Sequence, residues 1–172
     1  TVANPPPPGA STSGSAPGPT DDAPVVVLQL ITLRAGTPVD PARFPALLDA
    51  LDALMDGRAE ADGFNRLVLR AGLMWRECWL LRAMYRWLKQ VGFAFSQAGV
   101  EATLAAHPQA ARILVDLFHA RFAPDADRDE AALDAAWATL LDQVANPDED
   151  RILTRMMALL RAVLRSNWHQ DK

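Results

Sequence analysis

From residue 40 onward, apolar side chains return every three or four positions, the spacing of one face of a helix. Phe44, Leu47, Leu48, Leu51, Leu54 and Met55 follow that spacing behind Asp40, a cap, and Pro41, which suits a first helical position. Gly57 stands where a left-handed C-terminal cap belongs. After a turn over residues 58–63, the pattern predicts a stretch GFNRLVLRAG and then a long helix over residues 74–91, stopped by Gly92. Its apolar stripe reads Trp75, Trp79, Leu80, Met84, Trp87 and Leu88, with Arg76, Arg82, Arg86 and Lys89 to the sides. Ser96 opens the next helix, with Phe95 and Val100 placed as a hydrophobic staple. His107 caps its end, and Pro108 starts another helix running to about residue 122. Asp127-Arg128-Asp129-Glu130 is a capping pattern that opens a helix to about residue 145. Asn146-Pro147 caps the last helix, with Asp148, Glu149 and Asp150 in its first turn and Arg161 and Arg165 near its far end. That charge placement suits the helix macrodipole.

Ahead of these helices the pattern changes. Residues 25–33, VVVLQLITL, are continuous and β-branched, which predicts a strand. One strand alone is unstable, so it either joins a sheet elsewhere or closes a neighbouring domain. Residues 1–24 hold seven of the 13 prolines and no Leu, Ile, Phe or Trp, a composition that cannot offset its ordering entropy. They read as a disordered linker or insertion; the run Pro5 to Pro8 could also serve as a polyproline II ligand. The expected fold is all-α, an irregular bundle of about six or seven helices with one N-terminal strand and a disordered Pro-rich leader. The expected divisions are 1–24, 25–39 and 40–170.

Charge and chemistry narrow the function classes. With 17 Lys and Arg against 21 Asp and Glu, the net charge is −4, and no basic run offers phosphates a patch, which argues against nucleic acid as a partner. No apolar stretch of about 18 residues exists, so no membrane-spanning helix is expected. The N-terminus lacks the basic start and apolar middle of a secretory signal, and the chain begins at Thr1, which suggests a processed product or a fragment. A cytoplasmic setting is the expectation. The one cysteine, Cys78, sits between Trp75 and Trp79 and reads as a buried inert thiol; Arg82, one turn on, leaves a perturbed thiolate open. His107, His119 and His169 show no metal-ligand spacing. Asp148, Glu149 and Asp150 point about 100° apart in a helix and do not converge on a cation. No phosphate-cradling glycine motif and no nucleophile elbow occurs. Aromatics interleaved with arginines over residues 75–89 could stack nucleobases, but net acidity favours an ordinary amphipathic helix.

Read as blocks, the chain resembles a known family. GFNRL, AGL-x-WRE, the VGFAFSQ turn, the EATLAAHP helix end and DEDRIL followed by Arg165-Ser166-Asn167 stand in the order found in the large bacterial type of NAD-specific glutamate dehydrogenase. The resemblance covers about residues 40–170. Met74, Cys78, Trp79, Ser166 and Trp168-His169 depart from the family's usual residues, and residues 1–24 have no counterpart.

The resemblance implies a helical connector between ACT-like regulatory modules and a catalytic domain, with residues 25–39 as the end of one such module. It implies a parent enzyme that oxidises L-glutamate to 2-oxoglutarate and ammonia with NAD. The family's catalytic lysines and dinucleotide fold have no match here, so no catalytic, cofactor-binding or metal residue is expected in this chain. The expected partners are the regulatory and catalytic domains of the same polypeptide, in a homo-oligomer. Arg151, Arg155, Arg161, Arg165 and Asn167, in or just after the last helix, are the candidate interdomain contacts. A stand-alone helical adaptor is the alternative.

Overall fold

The computed structural model describes residue 32, residues 38–124 and residues 129–170. The chain divides into two units, Thr1–Arg34 and Ala35–Lys172, and the fold below is that of the second. The leader over 1–24, and the strand expected over 25–33 apart from Thr32, lie outside the described residues.

Seven α-helices follow one another among the described residues. They are α1 (Phe44–Met55), α2 (Arg66–Arg70), α3 (Trp75–Gln90), α4 (Gln97–Ala106), α5 (Pro108–Phe122), α6 (Glu130–Leu141) and α7 (Pro147–Ala162). No strand occurs among the described residues, so this body is all-α.

The helix starts are set by side chains that satisfy orphan backbone donors. Asp40 Oδ1 accepts from Ala42 N at 3.0 Å, Ser96 Oγ from Gly99 N at 3.2 Å, and Asn146 Oδ1 from Asp148 N at 3.0 Å. Glu77 Oε2 reaches back to accept from Met74 N at 2.8 Å and so opens α3. Asp40 caps a single 3₁₀ turn, Pro41–Arg43, which leads into α1. The cap of α6 is Asp129, whose Oδ1 accepts from Ala131 N and Ala132 N, and α6 ends at Leu141, four residues short of the expected boundary. His107 joins α4 to α5 through its backbone carbonyl, which accepts from Ala110 N at 3.0 Å; its ring caps nothing.

The helix ends are closed by glycines and arginines. Gly57 (φ 69°) and Gly92 (φ 87°) turn the chain out of α1 and α3 in the left-handed region that other residues resist. Arg43 donates to the carbonyl of Leu69 at the end of α2, and Arg70 to that of Ala105 at the end of α4 (2.8 Å). Arg121 donates to Leu160 O (2.6 Å) and Val163 O (3.3 Å) at the end of α7. Each places a cation on the negative pole of a helix while tying two helices together.

α3 is the central element, packed against α1, α2, α5, α7 and the 63–65 turn. Its buried face is Cys78, Leu81, Arg82 and Tyr85, the i, i+3, i+4, i+7 set, flanked by Leu80, Met84 and Leu88. This corrects the stripe read from the sequence: Trp79 and Trp87 are 45% and 50% exposed, and Arg82 is interior. On α1 the face turned inward is Ala50 and Ala53, whose small side chains let the backbone approach; Phe44, Leu48 and Met55 are left exposed. One contiguous core then runs through Phe64, Leu67, Leu81, Leu104, Leu114, Leu153, Met156 and Leu160. Helix α6 packs chiefly on α5 and buries Trp137.

Cys78 is fully buried, and burial pushes its thiol from an ordinary 9.0 up to about 12, with nearby Arg82 only partly opposing the shift. A thiol pKa raised on folding favours the native state below pH 9, and that contribution is lost as the pH climbs toward 12. The expected result is a steeper alkaline loss of stability in the wild-type chain than in a Cys78→Ala variant, followed by urea unfolding at increasing pH. Identical pH profiles for the two chains would refute the assignment.

Candidate functional site

Within residues 60–101 the described residues gather around Arg82. Its side chain is 1% exposed, and its Nε and Nη2 donate to Asp62 Oδ2 and Oδ1 at 2.5 and 2.6 Å. Nη2 also reaches Asn65 Oδ1 at 3.2 Å and the carbonyl of Glu60 at 3.3 Å. Its Nη1 has no hydrogen-bond partner among the described residues, and the guanidinium lies 5.6 Å from the centre of the Phe64 ring, a cation–π arrangement. Asp62 additionally accepts from Phe64 N (3.1 Å) and from Gln97 Nε2 (3.1 Å), so one carboxylate ties the 63–65 turn to α3 and α4. A Cβ at Gly63 would meet the Glu101 carboxylate, which would have to swing aside to admit it. Burial alone lowers the Arg82 pKa, but hydrogen bonding to and charge on Asp62 outweigh it, and the net direction is up. A cation held this firmly is a fastener, with no proton to give at ordinary pH.

The histidines are likewise tied into the scaffold. His107 Nε2 lies 2.8 Å from Glu149 Oε2 and links the α4–α5 junction to the first turn of α7. His119 Nε2 is 3.3 Å from Glu77 Oε1, which also receives Arg112 Nη2 at 3.2 Å; Arg112 binds Asp116 as well. His169 approaches His119 from the segment after α7, with 3.4 Å between ring nitrogens. Trp168, beside it, packs its ring against Trp79, Phe118 and His119 and lies under the Arg76 guanidinium. This aromatic cluster holds the segment that follows α7 against α3 and α5. Among the described residues no group of three His, Cys, Asp or Glu could hold a metal ion, and no helix is long and apolar enough to cross a membrane.

The five residues expected to make interdomain contacts are all exposed but do not form one site. Arg151 sits 3.6 Å from Asp148, and Arg161 binds Asp134 on α6 at 2.8 Å. Arg165 and Asn167 lie in the segment after α7, where the Asn167 carbonyl accepts from Gln170 N at 3.2 Å. Arg151 and Arg155 are brought together on the wall of a cavity of about 470 Å³, whose other wall is the end of α3 and the turn with Phe93 and Phe95. A second, apolar hollow of about 480 Å³ lies between α3 and the end of α7, lined by Met84, Trp87, Leu159, Val163 and Leu164. Sequence reading missed the Arg82–Asp62 fastener. The signal was present: an arginine four residues after Cys78 falls on the buried face, a position that demands a buried acid partner.

Residues 59–124 match the family described as "Glutamate dehydrogenase, helical motif 3". That span opens just before Asp62 and closes after α5, so it contains the fastener and the central helix. Over 125 residues, covering 70% of this chain and 8% of the relative, the chain is 44% identical to an NAD-specific glutamate dehydrogenase of Mycobacterium tuberculosis. It is 40% identical over 126 residues to that of Halomonas elongata, covering 72% of the chain and 8% of the relative. It is 41% identical over 147 residues to that of Pseudomonas aeruginosa, covering 81% of the chain and 9% of the relative. No solved structure matches the chain. The chain thus spans less than a tenth of the length of these relatives. By motif, order and identity, it belongs to the helical region of the NAD-specific glutamate dehydrogenases.

Proposed function

We propose that this chain is a noncatalytic helical connector of an NAD-dependent glutamate dehydrogenase, joining regulatory modules to the catalytic domain of the same polypeptide in the cytoplasm. The observation that carries the reading is the match of residues 59–124 to the helical motif, which coincides with a bundle whose ionic groups are tied to one another. Residues 25–39 would be the end of an ACT-like module. The parent reaction, L-glutamate and NAD to 2-oxoglutarate and ammonia, would be performed elsewhere in the polypeptide, assembled as a homo-oligomer. The described residues do not fit a dinucleotide: they supply no strand to lead a glycine-rich turn into a helix, and the three left-handed glycines all follow helices.

A connector's work is mechanical. α3 is anchored by the Arg82 fastener to the turn before it and through Trp79 to Trp168 in the segment after α7. Exposed Trp87 and Leu164, and the arginines of α7, offer surface for adjoining domains.

Two measurements test the reading. The coding frame should run on upstream into regulatory modules and downstream into a dehydrogenase domain; a start and a stop bounding this chain would instead support an independent adaptor. The purified chain, given glutamate and NAD, should form no NADH above a protein-free control. Saturable turnover would place chemistry within the bundle and overturn the noncatalytic assignment.

A further inference from the structure

We infer that the cavity between α7 and the α3–α4 turn receives an extended acidic segment of the dehydrogenase polypeptide, its carboxylates on Arg151 and Arg155 and its apolar side chains on Phe93 and Phe95. This rests on the connecting role proposed above and names a surface for it.

The first argument is how the chain uses its arginines. Arg43, Arg70 and Arg121 are bound to helix-end carbonyls, and Arg58, Arg82, Arg86, Arg112 and Arg161 to carboxylates. Among the described residues Arg155 has no such partner, and Arg151 has only Asp148 at 3.6 Å, where the Arg151 and Asp148 side chains are both about two-thirds exposed. Among the described residues Arg66, Arg76 and Arg165 are also without an ion-pair partner, Arg76 lying instead over the Trp168 ring, but none of the three lines this cavity. The two arginines that do line it are therefore available to an incoming anion.

The second argument is the composition of the walls. The described residues of the lining include no carboxylate, in a chain of net charge −4. Lys89, whose Nζ donates to the Phe93 carbonyl at 3.2 Å, adds positive charge beside the turn. The facing wall is apolar, with Leu88, Val91, Phe93 and Phe95. A simple anion would satisfy the arginines and leave that wall wet; a purely apolar segment would leave the arginines unused. The volume of about 470 Å³ lies within the roughly 300–1,000 Å³ typical of binding clefts.

The third argument is spacing. Arg151 and Arg155 are one helical turn apart, roughly 6 Å along α7. In an extended segment, alternate residues lie roughly 6.6 Å apart and point to the same side, with the intervening ones opposite. Acidic and apolar residues in alternation would therefore meet the arginine wall and the aromatic wall at the same time.

The test is a titration of the isotopically labelled intact chain with an acetylated, amidated peptide of alternating Glu and Leu, followed by amide chemical shifts. The expected result is saturable shifts at residues 91–95 and 151–155. Binding should weaken about tenfold in the double variant Arg151→Glu, Arg155→Glu, whose circular dichroism should match the parent's, and should also weaken with added salt. Equal binding of an alternating Lys and Leu peptide would overturn the inference, as would shifts elsewhere or none at millimolar peptide. Equal shifts with succinate alone would mark a small-anion site and overturn the segment. A peptide that fails to bind removes this surface and leaves the connector reading to its frame and turnover tests.

Discussion

Replacing Arg82 with Met is expected to cost about 3–5 kcal/mol, the loss seen when one member of a buried ion pair is removed. Asp62 would keep Phe64 N and Gln97 but lose the cation that offsets its burial, and the 63–65 turn would lose its hold on α3. Distance does not decide this. Arg86 and Glu60 also stand 2.5 Å apart, but their side chains are 53% and 47% exposed, and breaking that pair should cost about 0–1 kcal/mol. Urea unfolding of the two single variants gives the comparison. A companion double variant, Arg82→Met with Asp62→Asn, should lose less than the sum of the single losses, because no lone charge is left inside. A loss below about 1 kcal/mol for Arg82→Met would show that the pair behaves as a solvated one.

Leu81→Ala should cost about 2–5 kcal/mol, through lost burial and the cavity left behind, since Leu81 is fully enclosed at the centre of α3. Trp87→Ala, which removes a far larger side chain, should cost about 1 kcal/mol or less, because half of Trp87 already faces solvent. The contrast tests which face of α3 is buried. If the tryptophan substitution proved the more damaging, the helix would have to be turned to the face first read from the sequence.

That misreading has a physical origin. Helix starts were legible because capping is local: Asp40, Ser96 and Asn146 each bond within three residues. Gly57 and Gly92 were legible because their conformation is unavailable to most side chains. The buried face of α3 was not, because its largest apolar side chains are not its most buried ones. Weighting by size selects Trp79 and Trp87, while the interior face carries a cysteine and an arginine that size and charge scales place outside. On α1 the same weighting favoured Phe44, Leu48 and Met55 over Ala50 and Ala53, although close packing selects the small residues. The candidate contacts in and just after α7 followed from the place of that helix beside the catalytic domain in the family the chain resembles. What the sequence could not show is that Phe93 and Phe95, more than 50 positions away, would line one cavity with Arg151 and Arg155.

The central claim, that this bundle connects other domains through the outer side of α7 and the segment after it, is tested most directly by hydrogen exchange. Backbone amides should be followed in the chain alone and in the whole dehydrogenase polypeptide. Exchange over residues 151–167 should slow in the whole protein, while amides around Leu81 and Leu114, already buried, should change little. Equal rates over residues 151–167 in both proteins would contradict the account.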